Sequence, residues 1–198
     1  MSGIIESSSP VAEADAMIRD AFIRQMRKVP AAMAVIATQA GDERRGLVAT
    51  AWCSLSADPP SLMVAVNKNA SAHDLIAQSG KFSVNQLRSD HGEIVAIFSN
   101  QRGLQGSDRF SQVHWRDGRS GVPVLLDAIT AFECHVAVHH EFGSHTIFIG
   151  EVTDLWAEDC ESAPGVYCNG SIHSVIDAKR QINQILGEVS DVGENTQP

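Results

Sequence analysis

Three short apolar runs, Met33 to Thr38, Gly46 to Leu55 and Ser61 to Asn67, follow one another with only turn formers between them. That succession constrains the fold more than any other feature of the chain. Rich in Val and Ala, the runs read as strands. The polar connector Gly41 to Arg45 suits a hairpin, and Asp58-Pro59-Pro60 stops the second run because proline has no amide hydrogen to give to a ladder. No helix long enough for a parallel crossover separates them, so an antiparallel meander is expected.

The remaining pattern agrees with a mainly β chain. Met17, Ile18, Ala21, Phe22, Met26 and Val29 recur at helical spacing from Ala14 onward, and Pro30 ends that helix. Ser71 with Asp74 reads as a helix start for residues 72–79, stopped at Gly80, and Asp90 opens a second short helix over Gly92 to Phe98. Lys81 to Leu87, Val122 to Leu126, Ala131 to His139 and Thr146 to Trp156 alternate as strands, the last two expected to close the sheet. Residues 99–121 read as a long loop anchored by Leu104, Phe110, Val113 and Trp115. Val166-Tyr167-Cys168 lies in the passage to a terminal helix carried by Val175, Ile176, Ile182, Ile185 and Leu186. The domain organisation expected is a Ser-rich flexible arm over 1–12, one domain over 13–187 and a disordered tail over 188–198. At least six strands and about four helices, without βαβ units, point to a closed antiparallel β-barrel with peripheral helices.

Composition excludes several function classes. The 198 residues carry 15 basic and 24 acidic side chains, a net charge of −9, and no basic run longer than two residues, so nucleic acid and anionic lipid lack an electrostatic footprint. The longest unbroken apolar run, Ala31 to Ala37, is far short of the roughly twenty residues a membrane helix needs. The N-terminal residues lack the basic and apolar regions of a secretory signal, which predicts a cytoplasmic protein. Cys53, Cys134, Cys160 and Cys168 include no C-x-x-C pair and read as reduced, mostly buried thiols. No G-x-S-x-G, Walker A, H-E-x-x-H or G-x-G-x-x-G motif occurs. His139 and His140, near Cys134 and His145, point to opposite faces of one strand, so no metal is expected.

The segment Gly46 to Asn69, G-L-V-A-T-A-W-C-S-L-S-A-D-P-P-S-L-M-V-A-V-N-K-N, packs small residues and hydroxyls into one strand and its exit. Thr50, Ser54 and Ser56 alternate and so share a face, where hydroxyls and nearby amides can hold a phosphate while small neighbours let a flat ring approach. A Ser/Thr-rich edge strand is the other reading of the same residues. With V-N-K-N-A-S-A-H-D, K-F-S-V-N-Q-L, S-D-R-F, W-R-D-G-R-S-G-V-P-V-L and G-S-H-T-I-F-I-G-E-V in that order, the segment resembles the flavin reductase family with the split-barrel FMN-binding fold. The resemblance runs over about residues 20–170 and is greatest to the small reductase components of two-component aromatic monooxygenases of the 4-hydroxyphenylacetate type.

The resemblance implies a Greek-key split barrel, FMN or FAD as cofactor and NADH or NADPH as co-substrate. It implies that Thr50, Ala51, Trp52, Cys53, Ser54, Asn67, Lys68, Ser71 and His73 contact the flavin, with Phe98, Ser99 and Arg109 as further candidates. His145, in a G-S-H turn where the family carries G-D-H, is implied to lie by the flavin and the incoming nicotinamide as the one catalytic candidate. Plainer alternatives stand beside these roles: core packing for Phe98, an ion pair for Arg109, a buried structural thiol for Cys53 and a turn histidine for His145. Val48 and Ala51 stand where the family has hydroxyls, which leaves FMN and FAD both open. Hydride transfer between two cofactors needs alignment rather than a protein nucleophile, which agrees with the absence of a triad. The family further implies a homodimer and a separate monooxygenase that takes reduced flavin by diffusion. A flavin-binding module without turnover, and a reductase of a corrinoid or ferric chelate, remain as alternatives.

Overall fold

The fold is built on a seven-stranded antiparallel sheet, seen in a computed structural model that describes residues 10–157 and 162–175. After helix α1 (Pro10–Met26) come β1 (Ala31–Ala32), β2 (Ala34–Ala40), β3 (Glu43–Ala49), β4 (Trp52–Ala57) and β5 (Pro60–Asn67). Helix α2 (His73–Ser79), strand β6 (Lys81–Gln86) and helix α3 (Gly92–Phe98) follow. The chain then forms a 3-10 helix (Gly106–Gln112), β7 (Trp115–Asp117), β8 (Pro123–Leu125), β9 (Thr130–Phe142), β10 (His145–Ala157), β11 (Gly165–Cys168) and β12 (Ser171–Ser174).

The main sheet has the order β3-β2-β6-β9-β10-β5-β4. Its two edges, β3 and β4, are consecutive in sequence and separated only by Thr50 and Ala51. In a flat sheet six spacings of about 4.8 Å would hold those edges about 29 Å apart. Three Cα steps from Ala49 to Trp52 span at most about 11 Å. The sheet therefore curls until its edges approach at Thr50-Ala51, and on the β4 side the Ala65 amide continues the β4–β5 pairing by donating to the Ala51 carbonyl at 2.9 Å. Among the described residues no ladder joins β3 to β4, so hydrogen-bonded closure of the barrel is not part of the pairing.

Alternation along β2 divides the core in two. Ala34 and Ile36 face a cluster with Val64, Val66, Ile76, Phe82, Val84, Cys134 and Phe148, into which α2 packs. Met33, Val35 and Ala37 face the opposite cluster of Leu87, Ile94, Ile97, Phe98, Phe110 and Leu125, closed by α3 and the 3-10 helix. Gly150 lies where β10 crosses the first cluster; a Cβ there would meet Phe82 Cζ at 2.6 Å and Cys134 Cβ at 2.7 Å, so only glycine lets the strand pass.

Several local readings are confirmed, among them α3 over Gly92–Phe98 and the end of α2 at Gly80, whose φ of +66° suits glycine. Others are corrected. The single strand expected over Gly46 to Leu55 is two strands on opposite edges, so the meander is broken there. β9 and β10 are interior strands rather than closing ones, because β6 flanks one and β5 the other. Neither Ser71 nor Asp90 caps a helix: Ala72 and His91 hold those positions, with no side-chain cap bond. The 99–121 segment contains the 3-10 helix and β7, and Val166 to Cys168 belongs to the β11–β12 hairpin. Helix α1 begins at Pro10, inside the segment read as an arm. The terminal helix beyond Val175, Cys160 and the 188–198 tail lie outside the described residues. No described helix is long and apolar enough to cross a membrane.

Candidate functional site

Antiparallel pairing of β5 with β10 sets Asn67, the last residue of one strand, opposite His145, the first of the other. Contact continues beyond the ladder, because the Lys68 amide donates to the Ser144 carbonyl at 2.9 Å. The Asn67 side-chain oxygen accepts the Asn69 amide at 2.8 Å, and its carbonyl accepts the Ala70 amide at 2.9 Å, forming a tight turn that leads into α2. That turn aims His73 back at β10. Its Nε2 shares a hydrogen bond with Thr146 Oγ1 at 2.8 Å, its Nδ1 with Asp74 Oδ1 at 2.7 Å, and its ring stands edge-on to Phe148 at 5.6 Å. His145 Nδ1 shares a 2.9 Å hydrogen bond with Ser144 Oγ, and the ring is exposed. Lys68 Nζ donates to Glu141 Oε2 at 2.6 Å, and this bond with the charge behind it holds the Glu141 carboxyl below its ordinary pKa. Asn67, Lys68, His73 and His145 thus converge from segments 73 positions apart.

A polar cleft of about 440 Å3 includes Ser71, Arg45, Asn100, Ser107 and Arg109 in its walls. Arg109 donates to the Leu104 carbonyl at 2.9 Å, the Gly46 carbonyl at 3.3 Å and Asn100 Oδ1 at 3.0 Å. All three acceptors are neutral, and no described carboxylate pairs with it, which corrects the ion-pair reading; Arg45, in contrast, pairs with Glu43. Burial, and then the nearby Arg45 guanidinium, lower the Arg109 pKa from its ordinary value, as expected of a cation without a counter-charge. Such a fixed guanidinium beside two serine hydroxyls fits a phosphate.

Thr50 and Ala51 lie at the junction of the two sheet edges, in an apolar cleft of about 390 Å3 walled also by Phe22, Met26, Val29 and Tyr167. Thr50 is therefore not in one strand with Ser54 and Ser56, and the shared face read from the alternation is not formed. Cys53 and Ser54 are exposed on β4, opposite Met63 and Leu62. The exposed Cys53 corrects the buried-thiol reading, because nothing among the described residues covers that face of the edge strand. Trp52 turns inward, its indole N–H donating to the Ala32 carbonyl at 3.1 Å, and packs against the first core cluster.

Phe98 offers no surface to a cofactor. It is 2% exposed, edge-on to Phe110 at 5.2 Å and to Trp115 at 5.6 Å, as a core residue would be. Ser99 is exposed at the end of α3, one residue before Asn100 of the polar cleft. The histidine run does not converge: His139 packs its ring near Phe148 at 5.8 Å, and no described group of three or more His, Cys, Asp or Glu is placed to hold a metal. Cys134 is buried, and its desolvated thiol is pushed up to about 12. Sequence reasoning missed Thr146 and Glu141. Thr146 left one signal, a polar residue on the inward-facing alternation of β10.

A flavin combines a flat ring system with an anionic phosphate, and the residues present fit both. Arg109 and Ser71 in the polar cleft suit the phosphate, with the Lys68 cation three residues before Ser71 outside the cleft walls, while small residues at Thr50 and Ala51 beside an apolar cleft suit the ring.

Comparison with known proteins gives a consistent result. The family model described as "Flavin reductase like domain" matches residues 26–175. The chain is 30% identical over 159 residues to the FMN reductase (NADH) RutF of Stutzerimonas stutzeri, covering 80% of this chain and 90% of the relative. It is 31% identical over 156 residues to the 4-hydroxyphenylacetate 3-monooxygenase reductase component of Pseudomonas aeruginosa, covering 78% and 91%. Among solved structures, flavin reductase PheA2 in its native state superimposes with a TM-score of 0.71 at 29% identity, over 80% of this chain and 98% of that one. The Streptomyces globisporus NADH:FAD oxidoreductase SgcE6, in complex with NAD and FAD fragments, gives 0.74 at 26% identity, over 83% and 96%.

Proposed function

The chain belongs to the flavin reductase like domain family, and from that premise we propose that it oxidises NADH or NADPH, reduces FMN or FAD and releases reduced flavin to a separate monooxygenase. The observation that carries this reading is the convergence of Lys68, His73 and His145 beside the Ser71 and Arg109 cleft. The flavin, when bound, supplies the ring that accepts the hydride. Lys68, Ser71 and Arg109 hold its phosphate. Backbone groups at Thr50 to Ser54 approach the ring, because small or outward side chains leave them accessible at Thr50, Ala51 and Ser54. Asn67 and His73 shape the turn between the two, and His145, free on its outer side, orients the nicotinamide. The Ser144 hydroxyl, in the place of a carboxylate, gives His145 Nδ1 a neutral hydrogen-bond partner that fixes the ring's inner edge.

The test is anaerobic oxidation of NADH and NADPH, followed by loss of their absorbance, with FMN, FAD or no flavin added. Turnover dependent on added flavin is expected, and His145→Ala is expected to lower kcat/KM for the nicotinamide roughly tenfold to a hundredfold through lost alignment. Flavin binding without any turnover would leave a binding module and remove the reductase. Turnover untouched by the substitution would confine the error to His145.

The curled sheet, with its edges joined at Thr50-Ala51, supports a split barrel within one domain over 13–187. The apolar face of α1, with Met17 72% and Phe22 63% exposed, continues into the cleft at Thr50 and Ala51, and we assign its cover to a second copy of the chain. Sedimentation at micromolar concentration is expected to show one species of twice the 21.3 kDa chain mass. A monomer at that concentration would remove the homodimer. A cytoplasmic location agrees with free thiols at Cys53, Cys134 and Cys168 and with the supply of reduced nicotinamide.

A further inference from the structure

We propose that Glu141 competes with the flavin phosphate for Lys68 and so weakens flavin binding at the site. The inference rests on the function proposed above and concerns its release step. Glu141 is the last residue but one of β9, two residues before the β9–β10 hairpin tip, and reaches across to Lys68, on the turn that follows β5. Nothing else among the described residues holds the ammonium, while the Lys68 backbone is pinned to Ser144, so the carboxylate alone directs the side chain. Arg109 differs in kind: its donors rest on neutral oxygens, and a phosphate finds its charge uncompensated. At Lys68 an arriving phosphate meets a cation already neutralised at 2.6 Å.

Exposure determines whether that neutralisation is a lock or an exchange. The Lys68 and Glu141 side chains are 35% and 66% exposed, so the pair is solvated and yields to a stronger anion. Positive surroundings keep Glu141 ionised and ready to return: Lys68 lowers its pKa most, with His73 and His139 adding smaller contributions. A phosphate therefore binds against a standing opponent and leaves with its help. A protein that hands its flavin to another enzyme is served by that arrangement, since tight retention would oppose the transfer.

The experiment measures dissociation constants for FMN and for riboflavin, which lacks the phosphate, by flavin fluorescence. The proteins are the wild type, Glu141→Gln, Lys68→Gln and the double variant. Glu141→Gln is expected to tighten FMN about two- to fivefold, the range of an exposed ion pair, and to leave riboflavin unchanged. In the Lys68→Gln background the same substitution is expected to have no effect, because the competition has lost its object. Glu141→Asp, keeping the charge on a shorter stem, should fall between wild type and Glu141→Gln. Equal tightening of both flavins, persistence of the effect without Lys68, or no change in FMN affinity would each overturn the inference while the reductase reading stands. A wild type that binds neither flavin would remove that reading, and the inference with it.

Discussion

Phe148→Ala is expected to lower the unfolding free energy by about 3–5 kcal/mol, the range for truncating a large aromatic in a close-packed core. Phe148 is fully buried in β10, against Val64 of β5 and His139 of β9, and belongs to the cluster that α2 closes. The cost has two parts, lost transfer of the ring from water and a cavity that surrounding strands cannot collapse into. Tied by hydrogen bonds on both sides, β10 has little freedom to move inward. For a chain of this size the same change corresponds to a fall of roughly 10 °C in Tm. Phe148 also carries the edge-on contact with His73, so the variant should loosen the turn holding Lys68. Denaturant unfolding checks the value; a loss under about 1 kcal/mol would mean that the cluster repacks.

Glu133→Ala is expected to cost about 3–4 kcal/mol, although the residue is an acid on a strand and reads as a surface position. Glu133 is 2% exposed. Its carboxylate accepts the Arg119 amide at 3.0 Å, the Ser120 amide at 2.8 Å and the Ser120 hydroxyl at 2.6 Å. The turn from Gly118 to Gly121 is folded around that carboxylate, closed by the Gly121 amide donating to the Gly118 carbonyl at 2.9 Å. Alanine leaves two backbone donors without their partner in a half-buried place, and orphaned donors cost more than the bonds contributed. Glu133→Gln, which retains an acceptor, should lose about half as much. Hydrogen exchange at Arg119 and Ser120 is the local readout, and unchanged protection there would refute the assignment even if global stability fell.

Much of the fold was legible, and the legible parts share one property. Helix α3 shows itself in Ile94, Val95, Ile97 and Phe98, and the end of α2 in Gly80, because each depends on residues within one or two turns. The β11–β12 hairpin was missed although Asn169-Gly170 is the local signal for such a turn. The break at Thr50-Ala51 left no signal of that kind, since V-A-T-A contains neither Gly nor Pro. Closure of the sheet bends the chain there, not local preference. Glu133 was illegible for the same reason, because its partners come from 13 and 14 positions away.

The candidate site divides along the same line. Lys68, Ser71, His73, Arg109 and His145 are candidates by residue type, which the sequence displays, whereas their neighbours are set by the fold. Phe98 is buried in the core and Trp52 packs half-buried against it, whereas Thr146 and Glu141, which hold His73 and Lys68, carry no sequence motif that marks them. The sequence by itself determined the strand and helix periods, the acidic balance and the family, through motifs kept in order along the chain. Only the tertiary structure decided that β3 and β4 are opposite edges, that His145 faces Asn67 and that Glu141 reaches Lys68. Period is a property of neighbours along the chain, whereas register joins strands far apart in it, and a side chain's partner is set by register.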